Sequence, residues 1–139
     1  MKANELMIGD LINAFGVVRK VTSINRLEQP EDDGLLTTMV PGCEFPDSNL
    51  SFRPYYAQPI PLTTEILEKN GFDGDREVMQ YYFEEDGQRY HFSLRQMYDK
   101  DGIPHGYSFF AFNVLTILDY VHELQHALRL CGIEKTIKL

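Results

Sequence analysis

In Arg89-Tyr-His-Phe-Ser-Leu-Arg95, apolar and polar side chains alternate at every second position. Successive side chains of a β-strand point to opposite faces of the sheet, so this alternation predicts a strand with one apolar face and one solvated face. Two more strand-like runs flank it, over 78–84 and 103–112, with turn signals at 85–88 and 99–102. The sequence therefore predicts a three-stranded antiparallel meander whose apolar face must be covered by another element.

The predicted cover is a C-terminal helix over about 114–130. Apolar side chains recur there at the spacing of one helix face, at Ile117, Val121, Leu124 and Leu128. Gly132 is expected to end the helix, because glycine readily adopts the left-handed conformation that terminates helices. We consider residues 133–139 as a last edge strand, since Lys135 and Lys138 would discourage unwanted pairing at a sheet edge.

The first half of the chain, residues 1–62, is predicted to be rich in β-structure. Strand-like runs lie at 8–12, 17–24 and 35–40, and turn signals separate them. Several short strands at this spacing are typical of small barrels, and we predict an SH3-like barrel.

A short helix is predicted at the start of the second half, residues 63–139. Thr63 is a favourable N-cap, Glu65 suits the positive end of the helix dipole, and Asn70-Gly71 is a helix stop. The predicted fold class is therefore α+β. Residues 1–62 form a β-rich subdomain and residues 63–139 an α+β subdomain, and the two are either separate or joined in a single domain.

Composition places the chain among globular proteins. Of its 139 residues, 43% are hydrophobic and 24% charged, which is ordinary usage for a domain with one core. No signal-peptide-like segment follows Met1, and no apolar run approaches the roughly 18 residues of a membrane span. Cys43 and Cys131 are too few for a disulfide framework and are predicted to be free thiols. We therefore expect a cytoplasmic protein that does not bind membranes.

The charge of the chain restricts its partners. Its formal net charge is -8, and the excess is concentrated before residue 76, where six basic and twelve acidic residues occur. Binding to duplex DNA requires many lysine and arginine contacts with phosphates, so duplex DNA is an unfavourable partner. An acidic surface instead favours a basic protein partner.

The segment His122-Glu-Leu-Gln-His126 matches the H-E-x-x-H pattern of zinc metalloproteases and lies on the predicted C-terminal helix. Histidines four residues apart share one helix face and can hold a Zn²⁺ ion, while the intervening glutamate activates a water molecule. The segment therefore suggests a zinc-dependent hydrolase, with His122 and His126 as metal ligands and Glu123 as the catalytic residue.

Two observations weigh against this hypothesis. A catalytic zinc needs a third protein ligand, yet the extended pattern meets Arg129 and Gly132, so His91, His105 or Asp119 would have to supply it from a distance. On a helical wheel the two histidines lie about 100 to 160 degrees from the apolar centre, which predicts that they face outward. The preferred interpretation is an amphipathic packing helix, with no catalytic residue, no metal and no cofactor.

Aromatic residues cluster in Phe52-Arg-Pro-Tyr-Tyr56. Exposed on a small barrel, Arg53, Tyr55 and Tyr56 would be able to stack single-stranded nucleic-acid bases. No run of basic residues accompanies them, however, and an exposed aromatic patch would more readily indicate a protein partner. Arg53, Tyr55 and Tyr56 are therefore the candidate interaction residues.

Three blocks of the sequence are similar to segments of a known group of proteins. They are Met1–Asp10; the segment from Pro59-Ile-Pro-Leu-Thr63 through Glu65-Ile-Leu67 to Asn70-Gly-Phe72; and Tyr120-Val-His-Glu-Leu-Gln125 with the closing Ile137-Lys-Leu139. In these blocks the chain resembles a group of small uncharacterised proteins encoded in gut-bacterial genomes, often beside phage or mobile-element genes. The resemblance implies an intracellular accessory protein without an assigned activity, and it supplies no catalytic residues. It also implies that glutamine occurs at the position of Glu123, which argues against a zinc protease.

Together these observations favour a non-enzymatic phage or mobile-element accessory protein that acts through protein-protein interaction. Its partner would be an unidentified protein or a second copy of the chain in a homodimer. A zinc-dependent hydrolase and a single-stranded nucleic-acid binder are the alternatives.

Overall fold

The structure, a computed structural model, describes residues 1–2, 5–25, 34–43, 49–75, 78–85, 88–111 and 114–139. Part of the predicted turn at 85–88, residues 86–87, lies outside the described residues. The chain divides into two compact units, Met1–Ile60 and Pro61–Leu139. This division falls two residues before the boundary predicted from the sequence. The fold is α+β, with two antiparallel sheets, one of which curls into a half-barrel, and two α-helices.

The N-terminal unit contains one five-stranded sheet. Its strands are β1 (Leu11–Ala14), β2 (Val17–Asn25), β3 (Leu35–Met39), β4 (Leu50–Phe52) and β5 (Ala57–Gln58). They follow the order β4-β3-β2-β1-β5, so the last strand returns to pair with the first. A 3-10 turn over Pro54–Tyr56 joins β4 to β5.

The core of this unit follows from the alternation of side chains along its strands. Inward residues of the strands and one residue before β1 form a single apolar cluster, made of Leu6, Ile12, Ala14, Val21, Leu36, Phe52 and Ala57. A register shift between Val21 and Ser23 marks a bulge in β2, which increases the local twist of the sheet.

The C-terminal unit contains the second sheet and both α-helices. Its strands are β6 (Asp73–Gly74), β7 (Val78–Glu85), β8 (Gln88–Tyr98), β9 (Pro104–Ala111) and β10 (Val114–Leu118), in the order β10-β9-β8-β7-β6. Helix α1 spans Thr64–Lys69 and α2 spans Val121–Leu130. The predicted meander is confirmed as β7, β8 and β9. Helix α1 is confirmed too, since the Thr63 side chain accepts a hydrogen bond from the Ile66 N–H.

The C-terminal helix starts later than the sequence predicted. Residues 114–118 form β10, which pairs with β9, and the helix begins only at Val121. The helical spacing from Ile117 to Val121 is therefore coincidental: Ile117 is largely exposed on a strand. The run Val-Leu-Thr-Ile-Leu is rich in β-branched residues, and its pairing with β9 outweighs the apolar periodicity.

The predicted last edge strand is wrong, because residues 133–139 are all described and none belongs to a strand. The side chain of Asn70, only 3% exposed, binds this tail instead. Its amide nitrogen donates to the carbonyl oxygens of Ile66, at 2.7 Å, and Lys138, at 2.8 Å, and its oxygen accepts from the Lys138 N–H at 2.9 Å. The tail also buries Ile137. A side chain thus replaces a neighbouring strand in satisfying the backbone of Lys138.

Aromatic rings run across the buried face of the second sheet. Ring centroids are 4.9 Å apart for Phe72 and Tyr81, 6.3 Å for Tyr81 and Phe92, and 5.5 Å for Phe92 and Phe109. The Lys135 ammonium lies 4.7 Å from the centroid of Tyr81, within the range of a cation–π contact. These contacts hold the tail and three neighbouring strands together.

Tyr107 connects helix α1 to the sheet, and we expect it to make the stability of this unit sensitive to alkaline pH. Its buried hydroxyl lies 2.8 Å from the Thr64 hydroxyl, and burial raises the pKa of Tyr107 above its usual value. Because the pKa of Tyr107 is higher in the folded than in the unfolded state, its protonated hydroxyl contributes to stability. This contribution is complete below the unfolded pKa of about 10 and is lost as the pH rises through the folded pKa. We expect urea unfolding midpoints to fall between about pH 9 and pH 11, and Tyr107→Phe to reduce that fall. The wild type measured at the same pH values is the reference; an equal fall in Tyr107→Phe and the wild type would contradict the assignment.

Candidate functional site

Tyr55 and Tyr56 protrude from the N-terminal unit because of the turn that carries them. Pro54 is buried at the start of the 3-10 turn, where its fixed φ angle suits the first position. The two tyrosines that follow are exposed, and their ring centroids are 4.0 Å apart. The structure therefore places all three predicted interaction residues, Arg53, Tyr55 and Tyr56, on the surface.

A third aromatic residue, Phe15, joins them from the turn between β1 and β2. Its ring centroid lies 5.4 Å from that of Tyr56 and 5.5 Å from that of Phe52, whose ring is buried in the core below. Phe15 itself is 62% exposed. We call Phe15, Tyr55 and Tyr56 the aromatic patch.

The backbone at Phe15 is unfavourable for that residue type. Phe15 has a φ of 55°, the only positive value outside glycine among the described residues, and Gly16 follows with a φ of 76°. Two consecutive positive φ angles are the signature of a type I′ hairpin turn, which favours Asn-Gly or Gly-Gly. A left-handed conformation costs a residue with a side chain roughly 1–2 kcal/mol. Phe15 is largely exposed although its ring also contacts Phe52, and strain of this kind clusters at functional positions.

The polar groups of the aromatic patch are suited to hydrogen bonding. A side-chain hydrogen bond with Tyr56 is the main cause that raises the pKa of Tyr55, although nearby Arg53 acts in the opposite direction. A tyrosine hydroxyl, whose ordinary pKa is about 10, is protonated at neutral pH in any case, and its oxygen can accept a hydrogen bond from a partner. The patch thus combines three apolar rings with phenolic groups at its rim, a composition typical of protein-binding surfaces.

The His122-Glu-Leu-Gln-His126 segment lies at the start of α2, and the prediction that both histidines face outward is wrong. His122 is only 5% exposed, while His126 is half-buried. The His122 ring stacks on Tyr120, with centroids 5.8 Å apart, and meets the edge of the His126 ring at 5.7 Å. A helical wheel leaves out Tyr120, the residue that precedes the helix and on whose ring His122 stacks.

Glu123 has a structural partner that explains its position. Its carboxylate accepts hydrogen bonds from the backbone N–H groups of Asp119, at 2.7 Å, and Tyr120, at 3.0 Å. An acidic side chain in this position satisfies donors at the helix N-terminus and interacts favourably with the helix dipole. Within the described ranges, no group of three or more His, Cys, Asp or Glu side chains is placed to hold a metal ion. The geometry of this segment is therefore that of a helix start.

The Cys131 thiol is not activated as a nucleophile. Cys43 and Cys131 are free thiols, both half-buried. Burial raises the pKa of Cys131, which lowers the thiolate fraction at neutral pH and hence its reactivity. Neither of the described helices is long and apolar enough to cross a membrane.

The sequence identified two members of the aromatic patch and missed the third. Phe15 lies far from Tyr55 along the chain, and it comes next to them only because β5 returns to pair with β1. The one feature of the sequence that could have indicated Phe15 is an aromatic residue in a turn where Asn or Gly is preferred. Comparisons of the chain with models of protein families, with curated proteins and with solved structures found no match.

Proposed function

We propose that this chain is a non-enzymatic interaction module that binds another protein through the aromatic patch of its N-terminal unit. The observation that carries the proposal is Phe15, an exposed aromatic residue kept in a strained turn beside two exposed tyrosines. Buried aromatic anchors dominate the binding energy of protein interfaces, and tyrosine is enriched among them.

The partner we propose is a basic protein that presents an apolar segment. The rings of Phe15, Tyr55 and Tyr56 would receive aliphatic or proline side chains of that segment, and the tyrosine hydroxyls would bind its backbone. A net charge of -8 attracts a basic protein over a distance and accelerates association at low salt. The resemblance to proteins encoded beside phage and mobile-element genes supports an accessory role in such an element.

The N-terminal unit is, in this proposal, an SH3-like small barrel. Two features support it: the strand order β4-β3-β2-β1-β5 and the 3-10 turn immediately before the last strand. In such a unit the hairpin turn at Phe15-Gly16 and the 3-10 turn lie side by side, which gives the aromatic patch a rigid base.

Removing both tyrosines tests the proposal. We expect Tyr55→Ala/Tyr56→Ala to weaken binding of the partner at least about 30-fold, the size of a hot-spot effect. The partner would be isolated by affinity capture with the wild type from the native host and titrated, once purified, by calorimetry. Tyr98→Ala removes an equally exposed tyrosine from the other unit and should leave the affinity unchanged. Equal affinities of the double variant and the wild type would refute the proposal.

A second binding experiment with the same variant decides the nucleic-acid alternative. Single-stranded binders combine stacking rings with a positively charged groove, and their affinity falls steeply with salt. We expect the wild type not to bind a fluorescent oligothymidylate even at about 20 mM salt, where such binding is strongest. If the wild type binds the oligothymidylate and Tyr55→Ala/Tyr56→Ala does not, the partner of the aromatic patch is single-stranded nucleic acid rather than a protein.

A further inference from the structure

Strand β10 forms an outer edge of the second sheet, and it lacks the features that usually protect such edges. Within the described part of the chain, its only strand partner is β9, and their register runs without a shift from Val114 to Leu118. Natural edge strands carry charges, prolines or bulges that prevent pairing with another chain. The strand Val-Leu-Thr-Ile-Leu has none of these.

Charge is absent from a much longer stretch around β10. Residues 103–118 include no Lys, Arg, Asp or Glu, although 24% of the whole chain is charged. Because each copy of the chain carries a net charge of -8, two copies repel each other least where their facing surfaces lack charge. The hairpin of β9 and β10 offers such a surface.

Exposed apolar side chains lie beside this edge on one face of the sheet. Leu115, Ile117 and Phe110 are 70%, 52% and 53% exposed, and Phe110 is the register partner of Leu115. On the next strand the register partner of Phe110 is Ser93, so polar residues border the apolar ones away from the edge. We call Phe110, Leu115 and Ile117 the edge patch. It is confined to the two strands nearest the free edge.

We propose that β10 pairs with β10 of a second copy of this chain, in antiparallel orientation about a two-fold axis at Thr116. In an antiparallel pair, alternate residues point their N–H and C=O groups away from the existing neighbour, so these groups of β10 remain available to a new strand. The second sheet of one copy and the second sheet of the other, each five-stranded, would become one continuous sheet.

The sequence of β10 fits a second copy because it is self-complementary about Thr116. Leu115 of one copy lies opposite Ile117 of the other, and the two leucine-isoleucine pairs adjoin each other on the same face. Cross-strand pairs of this kind are close enough for their side chains to contact each other. A two-fold axis is also the commonest symmetry of soluble oligomers. No charge meets a like charge across the axis.

The dimer is expected to be weak. Pairing of a five-residue strand with partial burial of three apolar side chains covers roughly half of the about 800 Å² per partner of a standard interface. We therefore expect a dissociation constant of about 10–100 µM. The wild type would be mainly monomeric at low micromolar concentration and mainly dimeric near millimolar concentration.

Sedimentation velocity over about 1–500 µM tests the proposal. We expect the wild type to show a monomer-dimer equilibrium in this range, and Ile117→Lys to weaken dimerisation at least about tenfold. Leu130→Lys introduces the same charge at an exposed leucine on α2 and should dimerise as the wild type does. A wild type that remains monomeric throughout, or an Ile117→Lys variant that dimerises like the wild type, would overturn the proposal. Ile117 is exposed, so its replacement leaves the core intact, and circular dichroism checks the fold.

A cysteine at the axis tests the register. In a background with Cys43→Ser and Cys131→Ser, Thr116→Cys should form an intermolecular disulfide under mild oxidation, because paired residues at the axis bring their Cβ atoms within disulfide distance. Leu130→Cys in the same background is the control for random collisions. Equal yields of disulfide at the two positions would reject the pairing at β10. Neither experiment involves the aromatic patch, so its outcome is independent of the proposed protein partner.

Discussion

Asn70→Ala is expected to lower the free energy of unfolding of the C-terminal unit by about 2–4 kcal/mol, because it leaves several backbone groups without partners. The Asn70 side chain is buried and makes three hydrogen bonds, two of them to the backbone of Lys138. Each unsatisfied buried group costs roughly 1–3 kcal/mol, and alanine cannot replace either hydrogen-bonding function. Urea unfolding followed by circular dichroism measures the change.

Hydrogen exchange identifies the cause of that change. The amide of Lys138 is bonded to the Asn70 side chain rather than to a strand, so its protection should fall by at least about tenfold in Asn70→Ala. Asn25→Ala, at an exposed position at the end of β2, should change stability by no more than about 0.5 kcal/mol. Wild-type stability and unchanged protection of Lys138 in Asn70→Ala would show that the tail is not held in this way.

Phe15→Asn is expected to separate binding from stability. Asparagine tolerates the left-handed conformation and creates the Asn-Gly pair preferred in a type I′ turn. Relief of about 1–2 kcal/mol of backbone strain offsets the loss of ring contacts, each worth about 0.5–1.5 kcal/mol. The unfolding free energy should therefore stay within about 1 kcal/mol of the wild type or rise, while affinity for the protein partner falls at least about tenfold.

Phe15→Ala is the matched control for this variant. Alanine removes the same ring but keeps the backbone strain, because its Cβ atom also disfavours the left-handed conformation. It should therefore bind as weakly as Phe15→Asn and be less stable. If Phe15→Asn bound the partner as well as the wild type, Phe15 would not belong to the binding surface; if it were strongly destabilised, the ring would have a structural role.

The parts of the fold that the sequence predicted are those with an unambiguous local period. The alternation around Phe92 and Leu94 determines β8 and its neighbours, and Thr63 with Asn70-Gly71 determines the ends of α1. Residues 114–130 contain both the apolar spacing of a helix and the β-branched residues typical of a strand, since a strand leads directly into a helix there. A boundary signal was present: Glu123 lies three residues after Tyr120, where its carboxylate satisfies the first donors of the helix.

Long-range contacts account for what the sequence could not show. Asn70 was interpreted as a helix stop, which it is, but its bonds to Lys138 join residues 68 positions apart. Phe15 reaches Tyr56 only through the pairing of β1 with β5. Each of these contacts follows from tertiary structure rather than from a local pattern.

The central claim, that the aromatic patch binds a protein, is tested most directly by photo-crosslinking in the native host. A benzophenone amino acid would replace Tyr55 in the patch and, as the control, the exposed Tyr98 in the other unit. We expect irradiation to link position 55 to one discrete basic protein, and position 98 to give no such product. Equal crosslinking at both positions, or crosslinking of position 55 to nucleic acid alone, would contradict it.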